Sequence, residues 1–146
     1  MLGSDAKTGQ TILVVDDDEA VLNLVVEILK AAKFNVLGAR DGALGVKLAA
    51  ETTEVIDLLL SDVDMPQLSG PDLGQKLKQA RPNLRVMLMS GGHNGSLLVL
   101  NYGWAFIQKP FVPIKLVKMV REVLEAPDRS QTGGQEFDSQ KDNSPN

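Results

Sequence analysis

Residues 55–70, VIDLLLSDVDMPQLSG, carry the clearest structural signal in this sequence. The nearly continuous apolar run from Ile56 to Leu60 is typical of a strand that is buried on both faces of a parallel sheet. The run breaks at Asp62 and Asp64, and Gly70 begins the next helix. Because open α/β folds bind ligands beyond the carboxyl ends of their strands, this pattern predicts a functional carboxylate at Asp62.

The composition is that of an ordinary globular domain and excludes several classes of protein. The chain has 146 residues, 43% of them hydrophobic, which is enough for one substantial core. It has no cysteine, so disulfides, thiolate metal sites and thiol catalysis are excluded. With a net charge of −4 and no basic cluster, it lacks the footprint of a nucleic-acid-binding protein. No segment approaches the ~18–20 apolar residues of a membrane span. The first ten residues also lack the apolar core of a signal peptide, so we expect a cytoplasmic location.

Apolar segments alternate with helical patterns between residues 12 and 126. The other predicted strands are Ile12–Val15, Phe34–Ala39, Arg85–Ser90 and Ala105–Lys109. Helices are predicted after the first strand, after Gly42, after Pro71, at Ser96–Tyr102 and at Pro113–Ala126. Five strands alternating with five helices through short connections indicate an open parallel α/β sheet.

One domain is expected, from residue 11 to residue 126, after a flexible N-terminus of ten residues. Residues 127–146 contain a single large apolar residue, Phe137. Such a segment cannot offset its ordering entropy by burial, so we expect either a disordered tail or the beginning of a linker.

The acidic run Asp16–Glu19 has two interpretations. Acidic residues cap helices and interact favourably with a helix N-terminus, which accounts for one or two of them. Capping does not explain why Asp16 and Asp17 directly follow the first strand. We therefore interpret these two residues as a functional acidic pair.

Polar side chains lie at the ends of four of the five predicted strands, namely Asp16 and Asp17, Asp62, Ser90 and Lys109. If the strand order is 2-1-3-4-5, as in one common doubly wound sheet, these four strands are neighbours ~4.8 Å apart. Three carboxylates that meet at one edge repel each other unless a cation is present, and oxygen ligands suit Mg²⁺. A lysine and a hydroxyl beside that ion would flank a phosphoryl group and neutralise the charge on its equatorial oxygens. The set predicts an aspartyl-phosphate site.

Each member of this set also has a purely structural interpretation. Asp62 and Asp64 suit a turn, Ser90 can simply end a strand before a Gly-Gly loop, and Lys109 can be a surface charge. His93, the single histidine, lies in a glycine-rich loop, and we assign it no role. The joint occurrence of matching groups at four strand ends favours the functional interpretation.

The segments VVDDD, LLLSDVDMP, VMLMSG and FIQKPF resemble the motifs of bacterial two-component response-regulator receiver domains of the CheY-like type. The resemblance covers the whole predicted domain, roughly Thr11 to Ala126. It implies a flavodoxin-like sheet of order 2-1-3-4-5 flanked by five helices. It also implies a phosphorelay signalling domain in which Asp62 takes a phosphoryl group from a histidine kinase or a histidine phosphotransfer protein. Both a single-domain regulator and a fragment of a hybrid kinase or larger regulator fit this pattern.

The resemblance further implies a set of ligands for Mg²⁺. Asp17 and Asp62 would bind the ion directly, together with the backbone carbonyl of Asp64. Asp16 would act through a coordinated water molecule.

The resemblance also implies a conformational switch. Lys109 would pair with the phosphoryl group, Ser90 would hydrogen-bond to it, and Phe106 would move with Ser90. The outcome would be altered binding of a downstream protein, or of a second copy of the chain, at the face formed by the fourth helix, fifth strand and fifth helix. The Lys109–Pro110 peptide is a candidate for the cis form.

One departure from the family pattern concerns the fourth helix. The spacing from Ser90 to Lys109 is shorter than the family usually shows by about one helical turn, so a short or irregular helix is expected at Ser96–Tyr102. Its apolar character, which continues to Trp104, fits either a helix buried nearly all round or an exposed patch for a partner.

Two other functions compete with the receiver interpretation. Asp62 and Asp64, with a hydroxyl and a lysine, also resemble the haloacid-dehalogenase phosphatase pattern, although there the Asp-x-Asp strand usually comes first in the chain. A pseudo-receiver with a silent site is the second alternative, and the complete set of polar residues argues against it. We therefore expect a self-phosphorylating signalling domain and not a turnover enzyme.

Overall fold

The structure is a computed structural model, and it describes residues 9–92 and 102–127. Its strands are β1 (Thr11–Val15), β2 (Asn35–Ala39), β3 (Leu58–Asp62), β4 (Arg85–Ser90) and β5 (Ala105–Gln108). All five are parallel and form one sheet in the order β2-β1-β3-β4-β5. The predicted fold and strand order are confirmed.

The described residues form four helices, α1 (Glu19–Ala31), α2 (Gly42–Glu51), α3 (Gly70–Ala80) and α4 (Pro113–Glu125). These agree with four of the five predicted helices, and α4 is the one predicted last in the chain. The predicted helix at 96–102 lies outside the described residues except for Tyr102. His93, residues 1–8 of the predicted N-terminal segment and residues 128–146 of the predicted tail also lie outside them. Within residues 9–92 and 102–127, no helix is both long enough and apolar enough to cross a bilayer.

Side chains of the central strands alternate between two hydrophobic cores. In β1, Ile12 and Val14 belong to the core beneath α1 and α4. Leu13 and Val15 belong to the opposite core, beneath α2 and α3. Every residue of β1 and β3 is buried, because helices cover both faces of the sheet. This two-sided burial explains why the strands are continuous apolar runs in the sequence.

β3 begins at Leu58, two residues later than its apolar run, and ends on Asp62 itself. Ile56 is buried in the α2/α3 core without belonging to the strand. Between them, the Asp57 carboxylate accepts a hydrogen bond of 2.8 Å from the Thr11 N–H. The sequence pattern therefore located the strand correctly but not its first residue, since burial extends beyond the strand.

Candidate functional site

Three charged residues, Asp16, Asp62 and Lys109, lie at the carboxyl edge of the sheet on the side of α1 and α4. Each is two positions beyond a strand residue of the α1/α4 core; those residues are Val14, Leu60 and Ile107. Because strand side chains alternate with period two, the three charged side chains emerge on the same face. The fold therefore brings together groups from β1, β3 and β5.

The structure separates the capping role of the acidic run from its other roles. Asp18 is the N-cap of α1, and its carboxylate accepts hydrogen bonds from the N–H groups of Ala20 and Val21. The Asp16 carboxylate accepts a hydrogen bond of 2.9 Å from the Asp18 N–H, and Asp17 is exposed. Capping of α1 thus accounts for Asp18, and the functional role of Asp16 and Asp17 stays a prediction.

The Lys109 ammonium group bridges two carboxylates. Its Nζ donates to Asp16 Oδ2 at 2.9 Å and to Asp62 Oδ1 at 3.0 Å. The side chain of Asp16 is fully buried, whereas those of Asp62 and Lys109 are 10% and 21% exposed. Charge-assisted hydrogen bonds of this kind are short and roughly twice as strong as neutral ones. The bridge therefore fixes the Asp62 carboxylate relative to β1 and β5.

The three aspartates form a candidate metal site. Asp16, Asp17 and Asp62 each offer one carboxylate oxygen, and these oxygens lie within 4.8 Å of one another. A donor set made only of carboxylate oxygens fits a hard cation such as Mg²⁺ and not a soft metal. Asp64 is exposed and lies two residues beyond Asp62 in the loop that follows β3. The arrangement can hold a metal ion with one face open to solvent.

The electrostatics of the site also favour a cation. The pKa of Asp62 is raised from 3.8 to about 6, chiefly by burial; the charges of Asp16 and Asp17 also raise it, and the hydrogen bond and charge of Lys109 lower it. Burial lowers the pKa of Lys109, but its hydrogen bonds to Asp16 and Asp62 outweigh that effect and raise the pKa above 10.5. One lysine therefore does not fully compensate the carboxylates.

A pH dependence of stability follows from the raised pKa of Asp62. In EDTA, the folded protein holds this proton more tightly than the unfolded chain, so the free energy of unfolding falls as pH rises from about 4 to about 6. The expected loss, relative to Asp62→Asn, is about 1–2 kcal/mol after allowance for solvent screening at the open edge. Urea unfolding of both proteins at several pH values measures it. Equal pH profiles would contradict the prediction.

Ser90 and Phe106 lie on one face of the sheet, on neighbouring strands. Ser90 pairs with Gln108, and Phe106 pairs with Leu88, which is two positions before Ser90. Ser90 is buried, its Oγ accepts a hydrogen bond of 3.1 Å from the Gly92 N–H, and Phe106 is half-buried. A shift of Ser90 would therefore act on the strand that carries Phe106.

Two further features surround the site. The Lys109–Pro110 peptide is cis, as predicted. A cleft of about 320 Å³ opens beside Asp17, and Arg40 lies in its wall. Arg40 was not among the predicted site residues, although it directly follows β2, so the rule of polar groups at strand ends would have found it.

Comparisons with known proteins show the family of the chain. The family described as "Response regulator receiver domain" matches residues 12–121. The chain is 36% identical over 115 residues to the transcriptional regulatory protein CpxR of Escherichia coli K12, covering 77% of this chain and 48% of CpxR. It is 29% identical over 128 residues to the sensor kinase CckA of Brucella abortus, covering 86% of this chain and 14% of CckA.

Solved structures show the same fold. A CheY-like receiver domain protein from Methanospirillum hungatei has a TM-score of 0.71 at 29% identity, covering 86% of this chain and 98% of that one. The receiver domain of the hybrid histidine kinase CckA has a TM-score of 0.68 at 34% identity, covering 79% and 99%. The chain thus spans whole receiver domains but half or less of the two curated relatives above.

Proposed function

The chain belongs to the response regulator receiver domain family, and from that premise we propose that Asp62 is its phosphoacceptor. The observation that carries this proposal is the Lys109 bridge to Asp62 and Asp16, at the edge where three carboxylates converge. It supplies a nucleophilic carboxylate and a fixed cation in one place.

The chemistry is a phosphoryl transfer to the Asp62 carboxylate. One carboxylate oxygen attacks the phosphorus of a phosphohistidine in line with the P–N bond, an O–P bond forms, and the imidazole leaves. Lys109, already hydrogen-bonded to Asp62, pairs with the transferred group. Bound Mg²⁺, held by Asp17, Asp62 and the Asp64 carbonyl with Asp16 acting through water, would neutralise charge on the phosphoryl oxygens.

The output is a change in partner binding and not a released product. The phosphoryl group draws the Ser90 hydroxyl inward, and Phe106 follows on the adjacent strand. Their placement on one face supports this coupling. The switched surface includes β5 and α4 and accepts a downstream protein or a second copy of the chain.

Incubation with acetyl phosphate tests the proposal. With Mg²⁺ present, intact mass spectrometry is expected to show one added phosphoryl group, and EDTA is expected to prevent the addition. Treatment with hydroxylamine should remove the added phosphoryl group, because hydroxylamine cleaves acyl phosphates. A protein that remains unmodified with Mg²⁺ would overturn the proposal. Sustained turnover of small phosphate esters would favour the phosphatase alternative.

The donor is a histidine kinase or a histidine phosphotransfer protein, and exposed apolar side chains near the site offer it a surface. Val112 and Ile114, 62% and 82% exposed, follow Lys109 closely in the chain. Leu24, 53% exposed, lies on α1, which packs beside α4. Because such kinases consume ATP, we place the protein in the cytoplasm.

A charge in this apolar surface should slow phosphoryl transfer from a protein donor but not from a small-molecule donor. We expect Ile114→Glu to reduce the rate of phosphorylation by a purified histidine kinase about tenfold, because a carboxylate would be desolvated in the complex. Labelling by acetyl phosphate should not change. Val55→Glu is the matched control, since Val55 is 70% exposed and precedes β3 at the opposite edge of the sheet. Equal effects of the two substitutions would contradict the prediction.

A further inference from the structure

Gly70, the first residue of α3, lies against the backbone of the residue proposed as phosphoacceptor. A Cβ atom at this position would overlap the main-chain oxygen of Asp62. It would also lie 3.1 Å from the carbonyl carbon of Asp62 and from the Cα of Val63. These are backbone atoms, so they cannot rotate away as the end of a side chain would. The absence of a side chain at Gly70 therefore allows α3 to begin where it does.

The same glycine closes the loop that follows β3. Its N–H donates to the Val63 carbonyl at 2.9 Å, and the Val63 N–H donates to the Met89 carbonyl of β4 at 2.9 Å. The Asp62 carbonyl in turn accepts a hydrogen bond of 2.9 Å from Ser61 Oγ. The backbone on either side of the Asp62 carboxylate is thus held by the sheet and by the start of α3. Asp64 directly follows Val63, whose backbone these hydrogen bonds hold in place.

The rest of the loop that follows β3 packs against the α2/α3 core and the start of α2. Met65 is buried in the α2/α3 core. Leu68 lies close to Gly42, the first residue of α2. A Cβ atom added at Gly42 would be 2.8–3.1 Å from three side-chain carbons of Leu68. Gln67, between them, has a positive φ of 72°. The loop is therefore confined between the starts of two helices, and a shift of either would move it.

We propose that Gly70 is a positioning residue for the metal site and for phosphoryl transfer at Asp62. A methyl group at Gly70 would separate α3 from β3 and displace Val63 and Asp64 relative to the carboxylates of Asp16 and Asp17. Mg²⁺ requires near-ideal octahedral geometry, so a displaced carbonyl or carboxylate weakens its binding. This inference rests on the proposed function, which supplies the metal and the reaction.

The matched control is a second glycine on the same helix. A Cβ atom at Gly74 would lie 2.9 Å from Cη2 and Cζ3 of Trp104 and 3.3 Å from a methyl group of Val86. Gly70→Ala and Gly74→Ala thus add the same methyl group to α3 in two crowded positions. Only the first position contacts the backbone of the site. The pair separates an effect on the site from an effect on the packing of the helix.

Three measurements test the proposal on the full chain. Calorimetric titration with Mg²⁺ should give a Kd raised about tenfold for Gly70→Ala and unchanged for Gly74→Ala. Phosphorylation by acetyl phosphate should slow in parallel for Gly70→Ala at limiting Mg²⁺ and recover partly at high Mg²⁺. Urea unfolding in EDTA gives the stability of each variant. A structural role alone would lower stability without changing the Mg²⁺ affinity of the folded protein.

Several outcomes would overturn the proposal. One is a folded Gly70→Ala variant with the Mg²⁺ affinity and labelling rate of the wild type, and another is an equal loss of affinity in Gly74→Ala. If Gly70→Ala does not fold, Gly42→Ala pushes on Leu68 from the far side of the loop. A reduced Mg²⁺ affinity in that variant supports the proposal and an unchanged one refutes it. A wild type that binds Mg²⁺ but accepts no phosphate would refute the proposed function instead.

Discussion

Asp62→Asn is expected to abolish phosphorylation by acetyl phosphate, with the rate falling by at least about a thousandfold. The asparagine amide is nearly isosteric with the carboxylate but carries no anionic oxygen to attack phosphorus. It also removes a ligand from the three-aspartate cluster. Intact mass spectrometry after incubation with Mg²⁺ and acetyl phosphate measures the effect directly.

Asp57→Asn is the control for this substitution. Asp57 immediately precedes β3, and its carboxylate accepts a hydrogen bond from the Thr11 N–H that an asparagine oxygen can still accept. It lies at the opposite end of the same strand from Asp62. We expect this variant to be labelled like the wild type. A full phosphoryl group on Asp62→Asn would instead assign the phosphoacceptor to another residue.

Lys109→Met has the second largest expected effect, and it acts on both rate and stability. The substitution removes the cation that bridges Asp16 and Asp62 but retains much of the apolar stem. Loss of one preorganised charged donor should slow phosphorylation about 100-fold. In EDTA it leaves a fully buried Asp16 beside Asp62 without a counter-charge, at a cost of about 2–4 kcal/mol in the free energy of unfolding.

Two comparisons make the Lys109 prediction specific. Lys118→Met removes an exposed lysine from α4 and should change neither quantity. The double variant Lys109→Met with Asp62→Asn should be less destabilised than the sum of the single variants, because the two residues interact directly. A Lys109→Met variant that is labelled at the wild-type rate would remove Lys109 from the mechanism.

Local patterns in the amino-acid sequence were sufficient for the strands, for four of the helices and for most residues of the candidate site, whereas the strand order came from the resemblance to receiver domains. Strands buried on both faces need continuous apolar runs, so the runs identify them, and the polar residue after each run identifies the edge where ligands bind. Alternation with period two then places Asp16, Asp62 and Lys109 on one face. These inferences succeed because they depend on neighbours along the chain, where spacing translates directly into geometry.

Packing between elements that are distant in the chain determines the contacts of the site, which no local pattern shows. The bridge from Lys109 spans 47 residues to Asp62 and 93 residues to Asp16, and no local pattern states that one ammonium group contacts both. In the sequence, Gly70 marks the start of a helix and Gly74 is a weak point within it, and neither pattern shows what the glycine contacts. In the folded protein one lies against the backbone of Asp62 and the other against the Trp104 ring. That difference arises from where α3 docks on the sheet, and docking depends on the shapes of both surfaces and not on either segment alone.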